Sequence, residues 1–295
     1  MHWEKKWFQF SILMLLAFIW GSSFILMKTG LESFDDIQAA SLRIGFAALF
    51  LLPYSIKCIM KLKRKDLKPL LMAGFLGNLI PAFLFAKAQT QIDSALAGML
   101  NSLTPVFTLI IGLLLFHTTI KRSQIIGIAL GLLGALCLIV LGSGNAIGDI
   151  NNYAFLIVLA TICYAININV VKTYLSHLRG VQITALSFFF IGPLATFSFF
   201  ASDFQQSFQA DGWLLSLSAL AFLGVLGTAI AMLLMNTLIQ YTSAVFASSV
   251  TYIIPIFAIG WGVLDGELIT AWHLGCMGLI LLGVYLINRK KRKAA

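Results

Sequence analysis

Long apolar runs alternate along this chain with short polar or charged stretches. Ten of the runs are long enough to cross a hydrocarbon core, which takes roughly 20 apolar residues in helical form. They cover residues 8–28, 37–56, 69–87, 94–116, 123–142, 152–172, 181–201, 213–236, 243–264 and 271–288. The pattern predicts an all-α integral membrane protein of ten transmembrane helices. The connections are short, which leaves no room for a soluble catalytic domain between spans.

The runs also repeat. Gly74, Gly77, Ile80, Pro105, Phe107 and Gly112 are matched 150 residues later by Gly224, Gly227, Ile230, Pro255, Phe257 and Gly262. Earlier in each half the offset is 144, pairing Trp20, Lys28, Ile37, Gln38 and Leu42 with Tyr164, Lys172, Val181, Gln182 and Leu186. The six residues gained fall near Asp203 to Gly212, a polar loop where extra length costs little. In the last run of each half the offset is nearer 149, pairing Gly134 with Gly283. Each half, 1–145 and 146–295, holds five spans. Five is odd, so the second half enters the membrane from the opposite side. Two inverted five-helix repeats are therefore predicted, the arrangement in which transporters place a substrate site at the repeat interface.

Composition agrees: 60% hydrophobic residues, 11% charged and a mean hydropathy of +0.95 exclude an ordinary soluble domain. Charge adds orientation. One set of connections carries Lys5 and Lys6, then Lys57, Lys61, Lys63, Arg64, Lys65 and Lys68, then Lys121 and Arg122, then Lys172 and Arg179, and last Arg289 to Lys293. The alternate set holds Glu32, Asp35, Asp36, Asp93, Asp149, Asp203, Asp211, Asp265 and Glu267. Cytoplasmic loops retain Lys and Arg, so both termini are expected in the cytoplasm (N-in/C-in). The net charge of +9 is then mostly a topology signal. The basic tail reads as an anchor near anionic lipid, not as a nucleic-acid contact. The first run is too long for a secretory signal and lacks a cleavage site, so it is read as a retained span. Cys58, Cys137, Cys163 and Cys276 show no paired or metal-ligand spacing, and His2, His117, His177 and His273 lie in tails, loops or span ends. No metal and no cofactor are expected; the expected partners are the lipid bilayer and a small-molecule substrate.

Polar side chains at mid-bilayer depth are costly unless they face the protein interior, a partner or a watery cavity. The deepest here are Trp20, Asn78, Asn101, Tyr164, Asn167, Thr228, Thr251 and Tyr252. They occupy spans 1, 3, 4, 6, 8 and 9, and they pair through the repeat: Trp20 with Tyr164, Asn78 with Thr228, Asn101 with Thr251. Any one of them could instead bond a neighbouring helix backbone. Confinement of the set to symmetry-related spans favours a shared substrate cavity. Spans 5 and 10 carry Gly127, Gly131 and Gly134, and Gly275, Gly278 and Gly283, which suit close helix packing.

Pro105 and Pro255 are candidate hinges. Each lacks an amide donor and displaces the carbonyl four residues earlier, that of Asn101 or Thr251. The result is either a bend that offers those acceptors to the cavity or a static kink. Arg43 sits about two turns inside span 2, opposite a neutral repeat mate, Ser187. It either snorkels to the headgroups or holds a carboxylate or phosphate of the solute. No Asp or Glu lies in the interior of any span, so proton coupling through an embedded carboxylate is not expected. Facilitated diffusion, exchange, or coupling at the cavity mouth through Asp93 or Asp265 remain open.

The stretch Trp20-Gly21-Ser22-Ser23-Phe24 stands in span 1, and the run from Ser94-Ala95-Leu96-Ala97 to Thr104-Pro105-Val106-Phe107 in span 4 has a weaker echo in Ser243-Ala244-Val245-Phe246-Ala247 to Ile254-Pro255-Ile256-Phe257 of span 9. With the duplication, they resemble the EamA family of the drug/metabolite transporter superfamily. The resemblance implies a basket-like arrangement with a cavity lined by spans 1, 3, 4, 6, 8 and 9, and export of amino acids or related metabolites. The function expected is a secondary transporter in the cytoplasmic membrane, working by alternating access as an exporter or facilitator. Its solutes are small neutral or zwitterionic metabolites, amino acids with aromatic or apolar side chains among them. Trp20, Tyr164 and Tyr252 would accept these by stacking and hydrogen bonding. The alternative is an exporter of cationic or amphipathic drugs, for which a carboxylate or an aromatic cage would be wanted. An enzyme is not expected, since neither His-Glu-x-x-His nor Gly-x-Ser-x-Gly occurs.

Overall fold

The computed structural model describes residues 2–60, 62–118, 121–141 and 152–288. Lys61, Asp149 and the tail Arg289 to Lys293 lie outside the described residues. The long apolar runs form α1 (Lys6–Leu31), α2 (Asp36–Ile59), α3 (Arg64–Ala88), α4 (Ser94–Phe116) and α5 (Arg122–Leu141). They continue with α6 (Tyr153–Tyr174), α7 (Gly180–Phe200), α8 (Trp213–Tyr241), α9 (Ala244–Leu264) and α10 (Ala271–Asn288). Among the described residues nine helices are long and apolar enough to cross a membrane, and α10 is a shorter apolar helix over Ala271–Ile287. No strand occurs among them. This is a multi-pass, all-helical membrane protein.

Four helices depart from regular α geometry, and the departures fall at matching positions. Widened, π-helical turns occupy Phe75–Leu79 in α3 and Leu223–Ile230 in α8. A widened turn upsets the usual i to i−4 pairing, and in an apolar setting the freed carbonyl needs another donor. Asn78 Nδ2 donates to the Ala73 carbonyl at 3.2 Å, and Thr228 Oγ1 donates to the Leu223 carbonyl at 3.0 Å. The two repeat mates thus perform one structural task.

In α4 the helix stops at Asn101 and resumes at Thr104; in α9 it stops at Ser248, passes through a tighter 3-10 stretch, Ser249–Tyr252, and resumes at Ile254. Pro105 and Pro255 sit at the start of the resumed segments, where a missing amide costs least. The carbonyls expected to face the cavity are taken up elsewhere. Thr104 Oγ1 donates to the Asn101 carbonyl at 2.8 Å, and Ser102 Oγ donates to the Thr251 carbonyl at 3.0 Å, joining α4 to α9. Each of these carbonyls thus accepts from a hydroxyl of α4 in place of the lost amide.

Helix α5 packs along α10, and α2 along α7. At the α5–α10 contact a Cβ on Gly127 would lie 2.4 Å from the Gly283 carbonyl oxygen, so only glycine permits the approach. A Cβ on Gly275 or Gly278 would meet nothing within 4 Å, so those two do not serve close packing, contrary to expectation. Neither α5 nor α10 reaches the cavity described next.

Candidate functional site

A cavity of about 80 Å³ lies between the widened turns of α3 and α8 and the breaks of α4 and α9. Of the residues singled out above, Trp20, Arg43, Asn78, Asn101, Tyr164, Asn167, Thr228 and Thr251 line it. Tyr252, Pro105 and Pro255 do not. The Tyr252 hydroxyl donates instead to the Val284 carbonyl of α10 at 3.4 Å. The reason is rotation: Thr251 faces the cavity, and one step along a 3-10 stretch turns the next side chain by about 120°.

Sequence reasoning missed several wall residues that its own register could have found. Ser23 and Phe24 line the cavity with their mates Asn167 and Ile168, at the offset of 144. Gly77 and Gly227, Phe85 and Met235, and Gln89 and Ile239 do so at 150. The wall breaks this pattern at α2, which contributes Arg43 and Ile44 while α7 contributes nothing.

The sequence brings Arg43 there through a close helix approach. A Cβ on Gly224 would lie 2.7 Å from the Arg43 carbonyl oxygen, so the bare glycine lets α8 lie against α2. One turn further along α8, Thr228 Oγ1 accepts from Arg43 Nε at 2.8 Å. Arg43 therefore does not snorkel to the headgroups. It takes part in no ion pair among the described residues, and it is the one lining residue with a formal charge.

The uncharged walls are held with uneven firmness. Trp20 Nε1 donates to the Gly227 carbonyl at 2.9 Å, which pins the indole against the widened turn of α8. The Tyr164 ring stacks near Phe85, centroids 6.1 Å apart. Asn167 is 4% exposed, and no donor among the described residues reaches its Oδ1. Leaving a buried amide oxygen without a donor costs about 1–3 kcal/mol.

Charge gathers beyond the two ends of the cavity. At one end Lys28 Nζ lies 2.5 Å from Asp265 Oδ2 and 3.0 Å from Glu267 Oε1. Glu267 also accepts from the Ser94 amide (3.0 Å), the Ser94 hydroxyl (2.6 Å) and the Ala95 amide (2.9 Å). A carboxylate from the α9–α10 connection thus caps the N-terminus of α4, where the helix dipole favours negative charge. Burial by itself would raise the Glu267 pKa, but the bonds from Ser94, Ala95 and Lys28 outweigh it and hold the carboxyl below the ordinary range. Neighbouring Asp93 shifts upward, through burial first and then the Glu267 charge. At the other end Lys172 Nζ donates to the carbonyls of Ile239, Gln240 and Thr242 at 2.9, 3.2 and 2.5 Å, and His177 Nε2 lies 3.1 Å from Asp66 Oδ1. Among the described residues no group of three His, Cys, Asp or Glu could hold a metal ion.

Residues 8–140 and 151–289 match the EamA-like transporter family. The chain is 27% identical to an uncharacterized inner membrane transporter, YedA, of Escherichia coli K12, over 96% of this chain and 91% of that one. It is 29% identical to a "probable amino-acid metabolite efflux pump" of Salmonella typhimurium, over 43% of this chain and 41% of that one. A solved protein structure superposes with a TM-score of 0.62 at 15% identity, covering 94% of this chain and 96% of that one, a likeness of fold alone.

Proposed function

The chain belongs to the EamA-like transporter family, and from that premise we propose that it moves small neutral or zwitterionic metabolites, amino acids with apolar or aromatic side chains among them, through the cavity by alternating access. The observation that carries the substrate reading is the wall chemistry. Aromatic surfaces (Trp20, Phe24, Phe85, Tyr164), neutral amides (Asn78, Asn101, Asn167) and a single cation (Arg43) line the cavity, and no carboxylate does. A carboxylate of the solute would pair with Arg43, its ammonium would find the Asn167 Oδ1 acceptor and the aromatic faces, and its side chain would stack. The same wall speaks against cationic drugs, which would meet Arg43 with nothing to offset it.

In this reading the halves 1–145 and 146–295 are two inverted five-helix repeats, N-in and C-in, so the Lys28 end faces outward and the Lys172 end inward. Support comes from wall residues paired at the repeat offsets and from widened turns and breaks at matching positions. The breaks at Pro105 and Pro255 act as the hinges about which α4 and α9 bend. Movement is export, by facilitated flow or by exchange, without an embedded carboxylate relay.

Purified protein in liposomes tests this. Counterflow of a labelled amino acid is expected, independent of an imposed pH gradient; no uptake across all twenty amino acids would sink the reading. Trp20→Ala and Asn101→Ala should impair counterflow far more than Gly275→Ala at equal abundance, since the Gly275 site has room for a methyl group.

A further inference from the structure

The positive charge of Arg43 sits in the cavity with no anionic partner among the described residues, and this bears on how the carrier can cycle. A guanidinium cannot shed its proton under these conditions. Among the described residues its one bond is from Nε to Thr228, and its two Nη groups have no acceptor there. While one end of the cavity is open, water can solvate those donors. Alternating access requires a passage in which both ends are shut, and there an empty cavity would enclose an uncompensated, poorly solvated cation. Burying such a charge without a partner is far costlier than burying it in a hydrogen-bonded pair.

A bound carboxylate changes this. It accepts from the Nη groups as a planar, charge-assisted pair, so the guanidinium enters the shut state partnered. Resting on the transport reading above, we propose that this protein is an obligatory exchanger of carboxylate-bearing solutes: it returns across the membrane only when a second carboxylate occupies Arg43. The repeat argues the same way, because the mate of Arg43 is Ser187, whose hydroxyl donates to the Leu70 carbonyl at 3.3 Å away from the cavity. The charge is present once, not twice, so one carboxylate suffices.

The experiment loads liposomes with the labelled amino acid that gives the fastest counterflow and compares its efflux into three outer solutions. The first holds the same amino acid unlabelled, the second its carboxamide, and the third chloride buffer alone. Efflux into the first is expected to exceed efflux into the other two by at least about tenfold, the factor that a 1.4 kcal/mol difference in barrier produces. Arg43→Gln should bring the three rates within about twofold of each other, whatever their common level, because the empty carrier no longer encloses a charge. Arg43→Lys should keep the dependence on outer carboxylate. Equal efflux into all three solutions by the parent protein would overturn exchange while leaving the transport reading intact. So would stimulation by the carboxamide or by chloride, or a dependence retained in Arg43→Gln. Absence of counterflow in the parent protein would instead remove the transport reading itself.

Discussion

Lys28 and Lys172 occupy the same place in the repeat, near the ends of α1 and α6, yet they are satisfied by different chemistry. Lys28 meets two carboxylates, Asp265 and Glu267, and through Glu267 it is tied to the N-terminus of α4. Lys172 meets the carbonyls that close the C-terminus of α8. One end of the cavity is latched by an ion cluster joining α1, α4 and the α9–α10 connection; the other uses a helix dipole to hold a cation within one half. The two lysines, 144 residues apart, keep their place on the helix more faithfully than their partners, and the partners set how each end responds to charge.

The largest effect is expected at Glu267. Glu267→Ala strips the acceptor from the Ser94 and Ala95 amides and from Lys28 at once and should lower stability by about 2–3 kcal/mol, the scale for leaving buried donors unsatisfied. Lys172→Met should cost only about 1 kcal/mol, typical for a cation at a helix C-terminus. Thermal unfolding in detergent reads both, and equal losses would remove the distinction between the ends. Second in size is coupling within the cluster. The double variant Lys28→Met, Glu267→Gln should be less destabilised than the sum of its parts by about 1 kcal/mol, because the two groups share one bond. Additive losses would mean that the ion pair is screened away.

The smallest effect concerns pH. Glu267 has a depressed pKa in the folded protein, so its contribution is present above the ordinary carboxylate range and is lost as pH falls through the folded value. Asp93 is shifted upward, so it costs stability when ionised, and the cost is relieved as pH falls through its raised value. Unfolding temperature should therefore rise slightly on mild acidification from neutral pH and drop below the carboxylate range. Asp93→Asn should abolish the rise and Glu267→Gln should soften the drop. A rise that survives in Asp93→Asn would assign it to another group.

Much of the cavity was legible because membrane depth and repeat register are both properties of spacing. Trp20 with Tyr164, Asn78 with Thr228 and Asn101 with Thr251 all line one cavity. Tyr252 was misplaced because the chain tightens locally before Pro255, which rotates one side chain off the expected face. What takes up the carbonyls freed by the two prolines was not legible, because the compensating hydroxyls, Thr104 and Ser102, do not reveal their targets in a string of letters, one being on another helix. Glu267 passed as an ordinary loop acid since its partners lie more than 170 residues away in the chain.

Apolar run length, loop charge and internal register determined by themselves that this is a helical membrane protein with a polar, carboxylate-free centre. Each depends only on what a stretch of chain must do in lipid. Tertiary structure decided whether Arg43 turns toward the headgroups or into the cavity, which glycines bring helices together, and which end of the cavity is latched by ions. Those outcomes depend on what stands opposite a side chain on another helix. For Arg43 the deciding neighbour is Gly224 of α8, whose missing side chain lets the two helices close around the charge.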